Sequence, residues 1–126
     1  MPSFTINSLP PSPNQTRGQH WSVAHRARKK VQGEVWYSWL CAGKPLANQR
    51  KAVLQLHVEA HGLRDDEDNR TARMKPLIDA LVDIGALVDD SPEWLEMRIP
   101  TRAKGEKGKP RITINIDYLE PEEVAA

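Results

Sequence analysis

Four consecutive acids, Asp65-Asp66-Glu67-Asp68, run into Asn69, and a second acidic pair, Asp89-Asp90, follows soon after Gly85. A run of acids is ordinarily solvated surface, so the spacing has to carry any argument for chemistry. Asp66 and Asp68 are two apart at the end of a strand-like stretch, and in an extended conformation both face the same side. Asp90 comes at the end of a helix-length excursion that can return the chain to the same sheet edge. Three carboxylates meeting there would raise one another's pKa values and hold protons unless a cation neutralised them. Oxygen donors without thiolate select hard ions, so Asp66, Asp68 and Asp90 are the expected ligands of magnesium, with manganese as its substitute. Phosphodiester hydrolysis needs a nucleophilic water, neutralisation of charge on the phosphoryl oxygens and help for the leaving oxygen. The metal held by Asp66, Asp68 and Asp90 would supply the first two. Lys75, expected to be protonated beside it, would stabilise the transition state; were Lys75 displaced, Arg70 or Arg73 would supply the cation instead.

The elements that would position these groups are readable from periodicity. Phe4 and Ile6 alternate with polar neighbours in a first strand, which Pro10, Pro11 and Pro13 end. Ser22 is the expected N-cap of a helix whose apolar positions Val23, Ala27, Val31, Val35 and Trp39 recur every four residues. Trp36 and Trp39 read as core or dimer contacts. Gly43 and Pro45 stop the helix. Val53 to His61 alternate as a half-buried strand, and Pro76, Leu77, Ile78, Leu81 and Val82 mark a second helix closed by Gly85. Leu95, Met97 and Ile99 form a third strand. Ile112, Ile114, Ile116 and Tyr118 form a fourth, hairpinned to the third through a Lys- and Gly-rich tip. The expected class is α+β, in the order β-α-β-α-β-β, with a mixed sheet, two helices and a C-terminal β-hairpin. Residues 1–126 make one domain, and about 119–126 are expected to fray as a tail.

Composition bounds the rest. The chain has 126 residues, 39% hydrophobic and 28% charged, in the range of one compact core. No stretch approaches the ~20 apolar residues of a membrane span, and the start lacks the apolar core of a signal peptide, so an intracellular, soluble protein is expected. Cys41 is alone and makes neither an intrachain disulfide nor a thiolate metal site. Net charge is only +1, but it is segregated: residues 1–63 carry eight Lys or Arg against two acids, and residues 64–126 carry ten against fifteen. Such asymmetry suits a chain that holds a polyanion with one surface and cations with another.

The pattern Asp66-x-Asp68-Asn69, Lys75-Pro76-x-x-Asp79-Ala80-Leu81, Gly85 and Asp89-Asp90 resembles the RusA-type Holliday junction resolvases of bacteria and phages. The opening Leu9-Pro10-Pro11-Ser12-x-Asn14 is similar to that family's first loop. The resemblance spans roughly residues 3–118. It implies a cytoplasmic, homodimeric, magnesium-dependent α+β endonuclease that makes paired cuts in four-way DNA junctions during recombination and repair. Family metal-binding aspartates fall on Asp66, Asp68 and Asp90, and the family's essential lysine on Lys75. One departure is visible. Five residues, Arg70 to Met74, separate Asn69 from Lys75 where the family commonly has two, and the extra length makes either most of a helical turn or a bulging loop.

Phosphate contacts are expected from Asn14 and Arg17 in the first loop and from Arg26, Lys29 and Lys30 on the first helix. Lys104, Lys107 and Lys109 would add others at the hairpin tip. Two rival readings come from other classes. One is a junction-binding protein whose nuclease site has decayed around the insertion. The other is a zinc hydrolase built on His57, Glu59 and His61, which share a strand face. Residues two apart on a strand diverge by ~7 Å, so one ion would hardly reach both histidines.

Overall fold

The computed structural model describes residues 2–10, 21–62 and 71–120. Their element order is β1 (Ser3–Ile6), α1 (Trp21–Cys41), β2 (Ala52–Ala60), α2 (Lys75–Asp83), β3 (Leu95–Met97), β4 (Thr101–Lys104) and β5 (Arg111–Tyr118). The class is α+β, with two helices and a mixed five-stranded sheet.

β2 is the centre of the sheet because its nine residues alternate without a break. Ala52, Leu54, Leu56, Val58 and Ala60 are all buried, and the residues between them are half-buried. β5 runs antiparallel along one side of β2, and β1 runs antiparallel along the outer side of β5. β3 and β4 both lie parallel to β2 on its other side. The core face of the sheet, including Phe4, Ile6, Ile112, Ile114 and Ile116, packs under Val31, Val35 and Trp39 of α1 and Leu77, Ile78 and Leu81 of α2. Helices on one face of this mixed sheet leave the opposite face to polar residues, as two-layer packing requires. Those polar residues include Thr5, Thr113, His57 and Thr101, which lie in one row across the strands.

Two features differ from the sequence expectation. The third and fourth predicted strands do not form a hairpin, because β2 lies between β5 and the β3–β4 edge. In addition, Arg102 to Lys104, expected in the loop, form strand β4. Pro100 explains the split. The register shifts from Leu54↔Met97 to His57↔Thr101, so three edge residues oppose two of β2. Proline cannot donate to a ladder and is tolerated at such a bulge. From Lys104 the chain spans the end of β2 to reach β5. It does so at Gly105, whose N–H donates to the Ala60 carbonyl. A Cβ at Gly105 would stand 2.9 Å from Ala60 N and from Glu59 C, so only glycine fits the crossing. Glu106 to Lys109 then make a turn with Gly108 at φ +75, closed by the Lys109 N–H on the Glu106 carbonyl.

The helix ends follow from local chemistry. α1 already runs at Trp21, so Ser22 lies in its first turn rather than capping it from outside. At its other end the Gly43 N–H donates to Leu40 O and the Lys44 N–H to Trp39 O, with Gly43 at φ +93, a Schellman cap. Trp39 is core and its indole Nε1 donates to Pro45 O at 2.7 Å, whereas Trp36 is half exposed. Thr71 to Arg73 are helical and lead into α2 through a turn at Met74. Pro76 has no N–H to offer the carbonyl of Ala72, which accounts for the interruption. The described part of the extra length is therefore a helical turn, not a bulge.

Candidate functional site

The groups of interest gather where α2 begins. Lys75 Nζ lies 3.4 Å from Asp79 Oδ1 and 3.5 Å from Asp90 Oδ2. The first contact follows from helical spacing, since residues four apart share a face. The second depends on the fold: Gly85, at φ +85, turns the chain back after α2, Ala86 and Leu87 anchor it in the core, and Asp90 emerges exposed beside Lys75. Asp79, and to a lesser degree Asp90, hold the Lys75 ammonium above its usual pKa. Lys75 is thus a fixed cation at neutral pH rather than a general base.

Asp89 and Asp90 have different surroundings despite being neighbours. The backbone N–H of Asp90, then the Ser91 hydroxyl, hold the Asp89 carboxyl below its ordinary range. Asp89 thereby organises the turn that precedes the Ser91–Trp94 bonds, while the Asp90 carboxylate also reaches Lys75. Beside this pair lies a shallow cavity of about 340 Å³, lined by Arg28, Gln32, Asp79, Val82, Asp83, Asp89 and Asp90. Four carboxylates thus face one pocket, with a guanidinium from α1 opposite. Its acidic residues supply oxygen donors, the ligand class that hard divalent ions take. Among the described residues, however, no three His, Cys, Asp or Glu side chains are grouped closely enough to hold a metal ion.

Of the sequence-predicted set, Lys75 and Asp90 are brought together, and Asp66 and Asp68 lie outside the described residues, as do Asn14, Arg17 and Arg70. Arg73 is buried, at 4% exposure, and so is not a surface substitute for Lys75. Lys29 and Lys30 border a different groove, on the flank of α1 away from the acidic pocket. Lys104 is exposed at the end of β4, and Lys107 and Lys109 are exposed in the following turn, where Lys109 pairs with Glu106 at 3.3 Å. Sequence reasoning missed Arg28, Gln32, Asp79 and Asp83 as pocket residues. Their i, i+4 pairings were available as a signal, but which flank of α1 meets α2 is a tertiary fact.

The zinc trio does not assemble. His61 leaves β2 into an exposed turn. His57 Nδ1 lies 2.6 Å from Thr101 Oγ1, and Glu59 accepts from Arg111 Nη2 at 2.8 Å, so both serve cross-strand pairing. No helix among the described residues is long and apolar enough to cross a membrane. No protein-family model and no curated protein matches the chain.

Proposed function

We propose that the protein is a magnesium-dependent endonuclease of the RusA type, cutting four-way DNA junctions as a homodimer in the cytoplasm of a bacterium or of a phage-infected cell. The observation that carries the reading is the 3.5 Å approach of Lys75 Nζ to Asp90 Oδ2 at the rim of a pocket lined by carboxylates. Lys75 opens α2 and Asp90 follows that helix, so the fold of α2 and the turn after it brings the two together, and the motif resemblance pairs the same two.

Asp90 would hold the ion together with Asp66 and Asp68, which lie on the segment between β2 and the helical turn at Thr71. A bound magnesium would activate water and neutralise phosphoryl charge. The chain's own groups would do the remaining work. Lys75, kept protonated by Asp79 and Asp90, would face the phosphoryl oxygens and favour the charged transition state. Arg28 on the opposite wall would attract the scissile phosphate to a site that is otherwise acidic. Arg26, Lys104 and Lys107 would track flanking phosphates without reading sequence.

The test is incubation of the purified protein with a synthetic four-way junction and magnesium, with linear duplex as control. Symmetric nicks in the junction alone are expected. Bound but uncut junction would replace this reading with that of a junction-binding protein lacking catalysis.

A further inference from the structure

The flank of α1 opposite the acidic pocket carries a larger groove. Its volume is about 650 Å³, and β1 forms one wall along its whole length, from Ser3 to Ile6, continued by Asn7. The other wall is α1, contributing Lys29 and Lys30, Gly33 and Glu34, Tyr37 and Ser38, and Cys41 and Ala42 in successive turns. The walls run side by side: the helical stretch rises ~18 Å at 1.5 Å per residue, and the four strand residues span ~13 Å.

β1 is an edge, since among the described residues it pairs only with β5. Which of its backbone groups point outward follows from register. Ile116 N donates to Pro2 O, so Pro2 and Ile116 are a hydrogen-bonded pair. Antiparallel pairs alternate, which makes Phe4↔Ile114 and Ile6↔Ile112 bonded pairs and Ser3↔Asn115 and Thr5↔Thr113 non-bonded ones. The N–H and C=O groups of Ser3 and Thr5 therefore point away from β5, toward the free edge. Gly33 sits mid-helix, where glycine is unfavourable, and a Cβ there would meet nothing within 4 Å. The middle of the groove is thus open on the helix side. Tyr37 is 67% exposed and Cys41 is exposed, giving the lining an apolar and aromatic character.

Charge selects the occupant. Lys29 and Lys30 are exposed and have no ion-pair partner among the described residues, while Glu34, the one acid on either wall, accepts a hydrogen bond from Ser8 Oγ. We infer that this groove binds an extended, acidic polypeptide segment of a partner protein, which adds a strand to β1 through the backbone of Ser3 and Thr5 and sets its acids against Lys29 and Lys30. Strand-edge amides with no backbone partner among the described residues suit recognition of a peptide backbone, which a nucleic acid does not have. The inference does not depend on the nuclease reading, because it uses the other flank of α1.

The test titrates the isotope-labelled full chain with a short peptide of alternating Glu and Val. Its backbone N-methylated form, the Lys and Val counterpart and oligo-deoxythymidine serve as comparison probes. Amide shifts centred on Ser3 and Thr5 are expected with the Glu–Val peptide, with affinity about tenfold or more weaker for the N-methylated and Lys–Val forms. Gly33→Leu, which introduces a good helix former and fills the notch, should abolish the shifts without lowering the melting temperature. If Gly33→Leu unfolds the chain, alkylation of Cys41 by a bulky maleimide serves as the second block and should give the same loss. Equal binding of the N-methylated peptide would overturn the inference. So would tighter binding of the oligonucleotide at the same amides, absence of shifts at millimolar peptide, or self-association through β1 that excludes the peptide.

Discussion

Under the proposed function, replacing Lys75 with methionine should separate cleavage from stability, and the structure sets the magnitude of the stability effect. The Lys75 side chain is 67% exposed, and its partners Asp79 and Asp90 are 42% and 47% exposed. At 3.4–3.5 Å in high dielectric each contact attracts by ~1 kcal/mol, and the entropy of holding long side chains offsets much of that. Lys75→Met should therefore destabilise the fold by less than about 1 kcal/mol, a fall in melting temperature of under about 5 °C. Under the proposed function Lys75 faces a charged transition state, and its loss should lower cleavage about 10²–10³-fold. The assay is single-turnover cleavage of a labelled four-way junction with magnesium, alongside thermal unfolding and a gel-shift measurement of junction binding. Lys75→Arg should restore part of the rate because it restores the charge. Cleavage by Lys75→Met within about threefold of the parent, with binding intact, would refute the role given to this lysine.

Other expectations follow from the same geometry. The Asp89 carboxyl should titrate below its ordinary value of 3.8, and Ser91→Ala should move it back toward that value in a carboxyl NMR titration. Because its folded pKa is lowered, whatever Asp89 adds to stability is present above that ordinary value and disappears as pH falls through the folded one. Gly105→Ala should cost about 1–3 kcal/mol in urea unfolding, since its Cβ would press on the backbone of Ala60 and Glu59. Gly33→Ala should instead stabilise by about 0.5–1 kcal/mol, because it removes backbone freedom in an uncrowded helical position.

How legible the molecule is in its sequence depends on whether each element carries an apolar period. β2 and β5 alternate so regularly that their strand state and core faces were evident, and Val31, Val35 and Trp39 of α1 are buried as their spacing predicts. β4 is exposed along its whole length, so nothing in Thr101 to Lys104 distinguishes it from a loop; its strand state comes from the free edge of β2. Strand order was equally hidden. Two strands joined by a short Gly-rich turn imply a hairpin, and only the close backbone approach at Gly105 permits the chain to span the end of β2 instead. At the candidate site, the pairing of Lys75 with Asp90 could be anticipated from the motif, while Arg28 could not, because a helix with one apolar stripe has two polar flanks and the stripe does not say which meets α2.

The central claim is that Asp90 and Lys75 belong to a metal-dependent phosphodiesterase site completed by Asp66 and Asp68. It is tested most directly by comparing the parent with Asp66→Asn and Asp90→Asn on the same four-way junction, measuring cleavage and binding in parallel with magnesium and with chelator. The account predicts that the parent cuts only with magnesium and that both variants stop cutting while binding as well as or better than the parent, since a charge that repels phosphate has been removed. Cleavage by either variant at near the parental rate would contradict it.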